Sequence, residues 1–242
     1  MCYNISAKKT PQELEKRFQA KVAEGEIISP HYYMSGFNHP KTPVIASIEP
    51  TMIRNYHWGL IPAFCQNIKA AKEMMVKTLN AKSETIFSLP SFKNSIGQKR
   101  CLILVDGFYE WRTIGKQKYP YYIHTKNNEP FAFGGIYNDW VNKDTGEIIN
   151  TFSIITTEAN PLLAKIHNVK LRMPLIMPKE IEKDWLNPNL NEKEIMELMK
   201  PFADSEMEAH TISKLITNRN DNPDKPEVQE PFEYPELAMF DN

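Results

Sequence analysis

A cysteine stands second in this chain, directly after the initiator methionine. Its side chain is small enough for Met1 to be removed on maturation, which leaves Cys2 with a free α-amine beside its own thiol. An α-amine titrates near ~7.7–8.0 and a lysine near ~10.4, so at neutral pH far more of the α-amine is unprotonated and able to form a Schiff base with an aldehyde. The thiol, with a reference pKa of about 8.5, can then add to the imine carbon and close a five-membered thiazolidine. Amine and thiol belong to one residue, so closure proceeds at high effective molarity. Position alone equally describes a chance cysteine at a frayed chain end, and other residues must decide. Cys65 and Cys101 complete an odd set with no C-x-x-C pair, which argues against a zinc site and against a disulfide framework. Cys101 opens the apolar run at residues 101–105 and reads as a buried strand thiol.

Four further segments carry groups that could assist. Trp58-Gly59-Leu60-Ile61-Pro62 is apolar and by itself reads as core. Residues 79–85, which include Asn80, Lys82 and Glu84, form a polar cluster after a helical run and by themselves read as a solvated loop. Glu110 lies between Tyr109 and Trp111 just after an apolar strand. Burial there would raise its pKa and suit it to acid–base work, whereas an edge-strand position would leave it facing water. Ile166-His167 precedes Arg172-Met173-Pro174, bringing an imidazole and a guanidinium close in sequence; a satisfied structural histidine is the plainer alternative.

The elements that must position these groups are partly legible. Thr10-Pro11-Gln12-Glu13 predicts a capping box with proline at the first helical position. Leu14, Phe18 and Val22 continue that helix at four-residue spacing, and Gly25 ends it. A second helix is predicted over residues 66–77. A third follows Asn191, with Glu194 completing its cap. Residues 100–105, 108–112, 119–124, 130–137 and 150–157 are short, rich in β-branched and aromatic residues, and read as strands. Residues 207–216 add a further candidate. Turn chemistry at Asn127-Asn128 and Asp144-Thr145-Gly146 makes consecutive strands antiparallel neighbours. Helices flanking such a cluster predict an α+β fold.

With 41% hydrophobic and 24% charged residues among 242, the composition is that of a soluble globular chain. Its length requires only one core. No apolar run reaches the roughly 18 residues of a membrane span and no signal-peptide segment precedes the first helix, so a cytoplasmic or nuclear protein is expected. The net charge of −1 is unevenly spread: seven acids against one base from Asp221 to Asn242 leave +5 on residues 1–220. That basic body permits nucleic-acid binding without requiring it. A domain at 1–220 followed by an acidic, proline-rich tail at 221–242 is the expected division, the tail running as an extended strap without a core of its own.

Taken together, the segments resemble the SOS response-associated peptidase family, also called the abasic site processing proteins. The resemblance rests on Met1-Cys2, residues 58–62, residues 80–85 (family Asn-Ala-Arg-Ser-Glu), residues 100–111 (family Arg-Cys-Leu-Ile, then Gly-Phe-Tyr-Glu-Trp), Phe133-Gly134-Gly135-Ile136-Tyr137, residues 152–157 with Ala159-Asn160, and Ile166-His167 with Arg172-Met173-Pro174. These run in family order across most of residues 1–177. The resemblance implies a single compact domain with a β-barrel-like antiparallel core, flanking helices and a positive groove for single-stranded DNA. It implies that Cys2 is the nucleophile that crosslinks to the opened sugar of an abasic site. By position, Asn80 places the cysteine and the sugar, Glu110 moves protons during ring opening and Schiff-base formation, and His167 is a second proton carrier. Lys82 and Arg172 are expected at phosphates, and Trp58 and Trp111 against sugar or base. No metal or cofactor is called for, a monomer is expected, and in a bacterium the location would be the cytoplasm, at the nucleoid.

The chain departs from the family pattern in three places. Tyr3 and Asn4 replace Gly-Arg after Cys2, Lys82 replaces an arginine and loses its bidentate fork, and four residues separate His167 from Arg172 where the shorter motif has one. Two rival functions use the same sequence. An N-terminal-cysteine amidohydrolase or peptidase would employ Cys2, Asn80 and His167, and a single-stranded DNA-binding module would need neither Cys2 nor Glu110. Associated lyase or autoproteolytic activity is compatible with the crosslinking that the resemblance implies.

Overall fold

The computed structural model describes residues 2–218 and 220–240, without the side chains of Ala238 and Met239. The expected removal of Met1 lies outside the described residues.

In chain order the strands of the first half are β1 (Asn4–Ala7), β2 (Lys21–Val22), β3 (His31–Ser35), β4 (Lys41–Ala46), β5 (Met52–Trp58) and β6 (Asn80–Lys82). Those of the second half are β7 (Arg100–Val105), β8 (Gly107–Ile114), β9 (Gln117–Thr125), β10 (Phe131–Val141), β11 (Ile148–Glu158), β12 (Arg172–Pro174), β13 (Ile176–Met177) and β14 (Met207–Thr211). The helices are α1 (Pro11–Phe18), α2 (Ile68–Lys77), α3 (Lys93–Ile96), α4 (Pro161–Ile166), α5 (Glu182–Leu186) and α6 (Glu192–Leu198). The fold is α+β, as the sequence predicts. Among the described residues no helix is long and apolar enough to cross a membrane.

Five strands close into a barrel. Antiparallel pairings run from β11 through β10, β7 and β4 to β5, and β5 returns to β11 in parallel at Phe152/Trp58 and Thr151/His57. Alternate residues then face opposite sides. Tyr56 of β5 and Tyr137 of β10, strands that are not neighbours in the ring, meet edge to face at 5.7 Å, so the set that includes them, Cys101, Ile103, Phe133 and Phe152 fills the inside. The opposite set, with Ile45, Leu102, Leu104 and Ile136, packs under Leu14 of α1, Trp185 of α5 and Ile195 of α6. Gly135 is obligatory in this packing, because a Cβ there would lie 2.3 Å from Ile103 Cδ1 and 2.7 Å from the Ser153 carbonyl oxygen.

A second sheet, ordered β14-β9-β8-β1-β3, covers one end of the barrel core. Ile5, Phe108 and Ile123 from this sheet join the barrel's inner cluster, and Phe108 meets Phe133 edge to face at 5.6 Å. The N-terminal strand is short and pairs with β8 only at Ile5/Phe108 and Ser6/Gly107. It is fastened further by Asp106, which accepts hydrogen bonds from Ser6 Oγ (2.5 Å) and the Lys8 backbone N–H (2.6 Å).

Two predicted helices start where capping chemistry puts them: Thr10 and Glu13 form the reciprocal box of α1, and Asn191 and Glu194 that of α6. The first helix is shorter than its apolar spacing predicts. Gln19 turns left-handed (φ 52°) after Phe18, and Val22 pairs with Ile53 as a strand residue instead of continuing the helix. The candidate strand at 207–216 likewise ends at Thr211, after which Ser213 caps a 3-10 turn. Among the described residues after Asn220, Val228 is fully buried and Pro231 is bridged to Ile212.

Candidate active site

Cys2 is buried just before β1, and its carbonyl oxygen accepts a hydrogen bond from Asn80 Nδ2 at 2.8 Å. Asn80 owes its place to β6, which runs parallel to β11 with Asn80 opposite Ile154. The preceding Leu79 carbonyl is held by the indole N–H of Trp58 (2.8 Å) and the backbone N–H of Ile154 (3.2 Å). With Nδ2 committed to Cys2, the Asn80 Oδ1 atom is buried with no protein donor among the described residues. That is an acceptor suited to a hydroxyl or amine of a bound molecule.

Glu110 enters from β8. Strand alternation puts it on the face of Phe108, toward the barrel, and only 5% of it is exposed. His167 follows the last turn of α4, whose first turn is capped by Asn160 and whose last turn receives the His167 backbone N–H at Leu163 O (2.7 Å). The His167 ring donates from Nδ1 to the Arg172 carbonyl oxygen at 2.8 Å, so in the neutral ring Nε2 carries the lone pair. That atom stands 3.7 Å from Glu110 Oε2. Asn168 clasps the segment to the same strand: it accepts from the Thr113 N–H (3.0 Å) and donates to the Thr113 carbonyl (2.8 Å). Sequence reasoning passed over Asn168, whose one signal was adjacency to His167. The long His167–Arg172 spacing is taken up by a loop that Leu171 closes in a left-handed conformation (φ 51°), its N–H bonded to the His167 carbonyl.

The electrostatics follow from burial. Desolvation pushes the Glu110 carboxyl up to about 8, the positive chain terminus acting the other way. Desolvation also lowers His167, with help from the same positive charge. At neutral pH the pair is therefore a protonated acid facing an imidazole lone pair and not an ion pair, which is the separation of roles an acid–base centre needs. Burial, then the nearby Glu110 charge, raises the Cys2 thiol far above its ordinary value, so at neutral pH it is a neutral thiol.

A family model described as SOS response associated peptidase (SRAP) matches residues 1–219. The chain belongs to this family. The abasic site processing protein YoqW of Bacillus subtilis (strain 168) is 39% identical over 167 residues, 68% of this chain and 71% of that protein. The abasic site processing protein HMCES of Gallus gallus is 31% identical over 196 residues, 72% of this chain and 56% of that protein. A crystal structure of a protein from Bacteroides thetaiotaomicron superposes with a TM-score of 0.89 at 36% identity, covering 96% of this chain and all of the other.

Within this SRAP fold the four residues expected to contact DNA are differently placed. Trp58 is fully buried, with its ring under Gly36, where a Cβ would come within 3.0 Å of it. The expectation that it packs against sugar or base is corrected: its indole is spent holding the Leu79 carbonyl and so supports Asn80. Arg172 meets a carboxylate where a phosphate was expected. Its Nη1 and Nη2 donate to Glu84, and Nη2 donates also to the Thr156 carbonyl and hydroxyl oxygens. Lys82 is exposed on β6, two residues from Asn80 and therefore on its face. Trp111 is half-buried on the face of β8 opposite Glu110, packed in part on the cluster of Tyr109, Tyr122 and Val228. An aromatic pair that the motifs did not single out stands beside Cys2: Tyr3 and Phe37 have ring centroids 4.9 Å apart, and Phe37 is 56% exposed. The Gly36 N–H bonded to the Tyr3 carbonyl (2.8 Å) holds the two together.

Proposed function

We propose that this protein captures abasic sites in single-stranded DNA as a covalent thiazolidine on Cys2, after removal of Met1. The observation that carries the reading is the convergence of Cys2, Asn80, Glu110 and His167, drawn from four distant parts of the chain, around one buried acid of raised pKa. The names of the relatives point to the same lesion.

An abasic sugar opens to an aldehyde at C1′. The unprotonated Cys2 α-amine adds to that carbon, giving a carbinolamine. Protonated Glu110 delivers its proton to the departing hydroxyl, water leaves, and the iminium remains. Glu110, now a carboxylate, accepts the Cys2 thiol proton as sulfur adds to C1′ and closes the ring. The sum is one aldehyde, one amine and one thiol converted to a thiazolidine and one water, with the acid restored. His167 Nε2 faces the same carboxyl and can hold a proton in transit, and Asn80 Oδ1 can accept from the sugar or the amine. Lys82 supplies positive charge on the Asn80 face, Arg172 is available to a phosphate that displaces Glu84, and Tyr3 with Phe37 offers a stacking surface for a neighbouring base.

The amidohydrolase reading calls on the same cysteine with its own α-amine as base, and the relatives' names favour the abasic-site reading over it. The test is a denaturing gel of the protein incubated with single-stranded DNA bearing one abasic site. Wild type, shown by intact mass to begin at Cys2, should give a stable shifted band and Cys2→Ala none. Cys2→Ser keeps the amine, so its adduct should need borohydride to survive. A Cys2→Ser crosslink as durable as that of wild type without reductant, or an active protein that retains Met1, overturns the thiazolidine.

A further inference from the structure

We propose that Gln229, carried on the C-terminal strap beyond the region matched by the family model, is a positioning residue for Cys2 and Glu110; this rests on the reading that those two residues carry the chemistry.

The Gln229 side chain ties three strands at one point. Its Nε2 donates to Ser6 Oγ (2.9 Å) on β1, to the Tyr109 hydroxyl (3.1 Å) on β8 and to the Tyr32 carbonyl (3.3 Å) on β3. Its Oε1 accepts from Lys8 Nζ at 2.5 Å. The knot is closed by its own members, since Ser6 Oγ donates to Asp106 and the Tyr109 hydroxyl donates to the Tyr32 carbonyl at 2.5 Å. Tyr109 precedes Glu110 on β8, and β1 begins two residues after Cys2.

The strap is seated by more than this one side chain. Val228 is fully buried among Tyr109, Tyr122, Ile212 and Ile216. Asp224 accepts the Tyr32 and Tyr33 backbone N–H groups at 2.7 and 3.1 Å and pairs with His31 at 2.6 Å. Burial of Val228 thus supplies the affinity of the strap for the body, and the Gln229 amide supplies direction, because its hydrogen bonds are satisfied in only one arrangement of the three strands.

Such support matters because β1 is short and its register against β3 is broken by a bulge. Four residues long, it is matched to β8 at two positions and to β3 at three, with a register shift between Ile5 and Ala7. A shift of one residue along a strand is about 3.3 Å, and an error of about 1 Å between reacting groups costs roughly a hundredfold in rate. The buried knot sits on the opposite side of β8 from Glu110, so it can fix β1 against β8 without occupying the place where DNA reacts.

The test uses Gln229→Met in the full-length protein, which keeps side-chain length and the Val228 anchor but removes the four hydrogen bonds. At saturating abasic single-stranded DNA and well below the melting temperature, the maximum crosslinking rate should fall about tenfold or more. The alkaline limb of the pH–rate profile should move, because loosening β1 changes the burial of Glu110. Hydrogen exchange at the Ile5 and Ser6 amides should quicken while that of β7 amides stays as in wild type. Met199→Ala, a loss of packing in the cluster outside the barrel, should lower the melting temperature without altering maximum rate or pH profile. Should Gln229→Met fail to fold, Gln229→Asn, which keeps the amide but withdraws it by one methylene, carries the same expectation. A Gln229 variant with wild-type maximum rate and pH profile overturns the proposal whatever its melting temperature. If wild type itself forms no crosslink, the functional reading falls, and the exchange of Ile5 and Ser6 still decides whether Gln229 holds β1.

Discussion

Replacing Glu110 by Gln keeps the size of the side chain and most of its hydrogen bonding but removes the titrating proton, and its consequences can be worked from the structure. The carboxyl is raised from an ordinary 4.5 to about 8 by desolvation. A carboxyl whose folded pKa lies above its unfolded one keeps its proton longer when folded, so the protein loses stability as pH rises from about 4.5 to about 8 and loses no more above that. At roughly 1.4 kcal/mol per pH unit the ceiling of this loss is about 5 kcal/mol, part of which relaxation around the ionised carboxylate recovers. The Gln variant lacks the loss. Urea unfolding of both proteins at pH 4.5, 7 and 9 should therefore show the variant gaining on wild type step by step, by several kcal/mol in all. Activity should move the other way. Crosslink formation by the variant should be slower by about 10²–10⁴-fold, the usual worth of a positioned proton carrier. The wild-type rate should rise as the α-amine deprotonates and fall as Glu110 ionises, and in the variant the alkaline fall should vanish. A stability difference that is flat with pH would refute the assignment of a buried, protonated Glu110. A variant that crosslinks at the wild-type rate would refute its role as proton carrier.

Two further expectations concern DNA contacts. Glu84→Gln removes the carboxylate that occupies Arg172, so affinity for intact single-stranded DNA should rise by a few fold, matching the ~0.2–1 kcal/mol of a partly exposed ion pair, and the salt dependence of binding should steepen by about one phosphate; unchanged affinity and slope in a filter-binding titration would show that Arg172 stays with Glu84 in the complex. Phe37→Ala removes the exposed member of the aromatic pair beside Cys2, and fluorescence anisotropy should report binding weaker by about tenfold, within the ~1–3 kcal/mol of one stacked base; equal affinity would leave the Tyr3–Phe37 pair with no part in binding.

What the sequence settles here is local chemistry. An aminothiol is implicit in the order Met1-Cys2, helix starts are written in Thr10 with Glu13 and Asn191 with Glu194, and residues 100–105 are too apolar and β-branched to be anything but a buried strand. These features depend on neighbours a few residues apart, so they survive without knowledge of the rest of the chain. The short strand β1 carries no comparable signal, because four residues gain strand structure only from β3 and β8, with Phe108 more than a hundred residues away. Family order named Cys2, Asn80, Glu110 and His167, but no spacing could show that parallel pairing of β6 with β11 and the Asn168 clasp on Thr113 bring them together. The same holds for roles that burial decides. Trp58 and Trp111 are alike as residues in a motif, yet barrel closure seals one away while strand alternation turns the other to the opposite face of β8 from Glu110. Glu110 becomes an acid at neutral pH, and Arg172 a partner of Glu84, only where the folded chain removes water from one and sets a carboxylate against the other, because desolvation and long-range pairing are properties of the assembled structure and not of any segment.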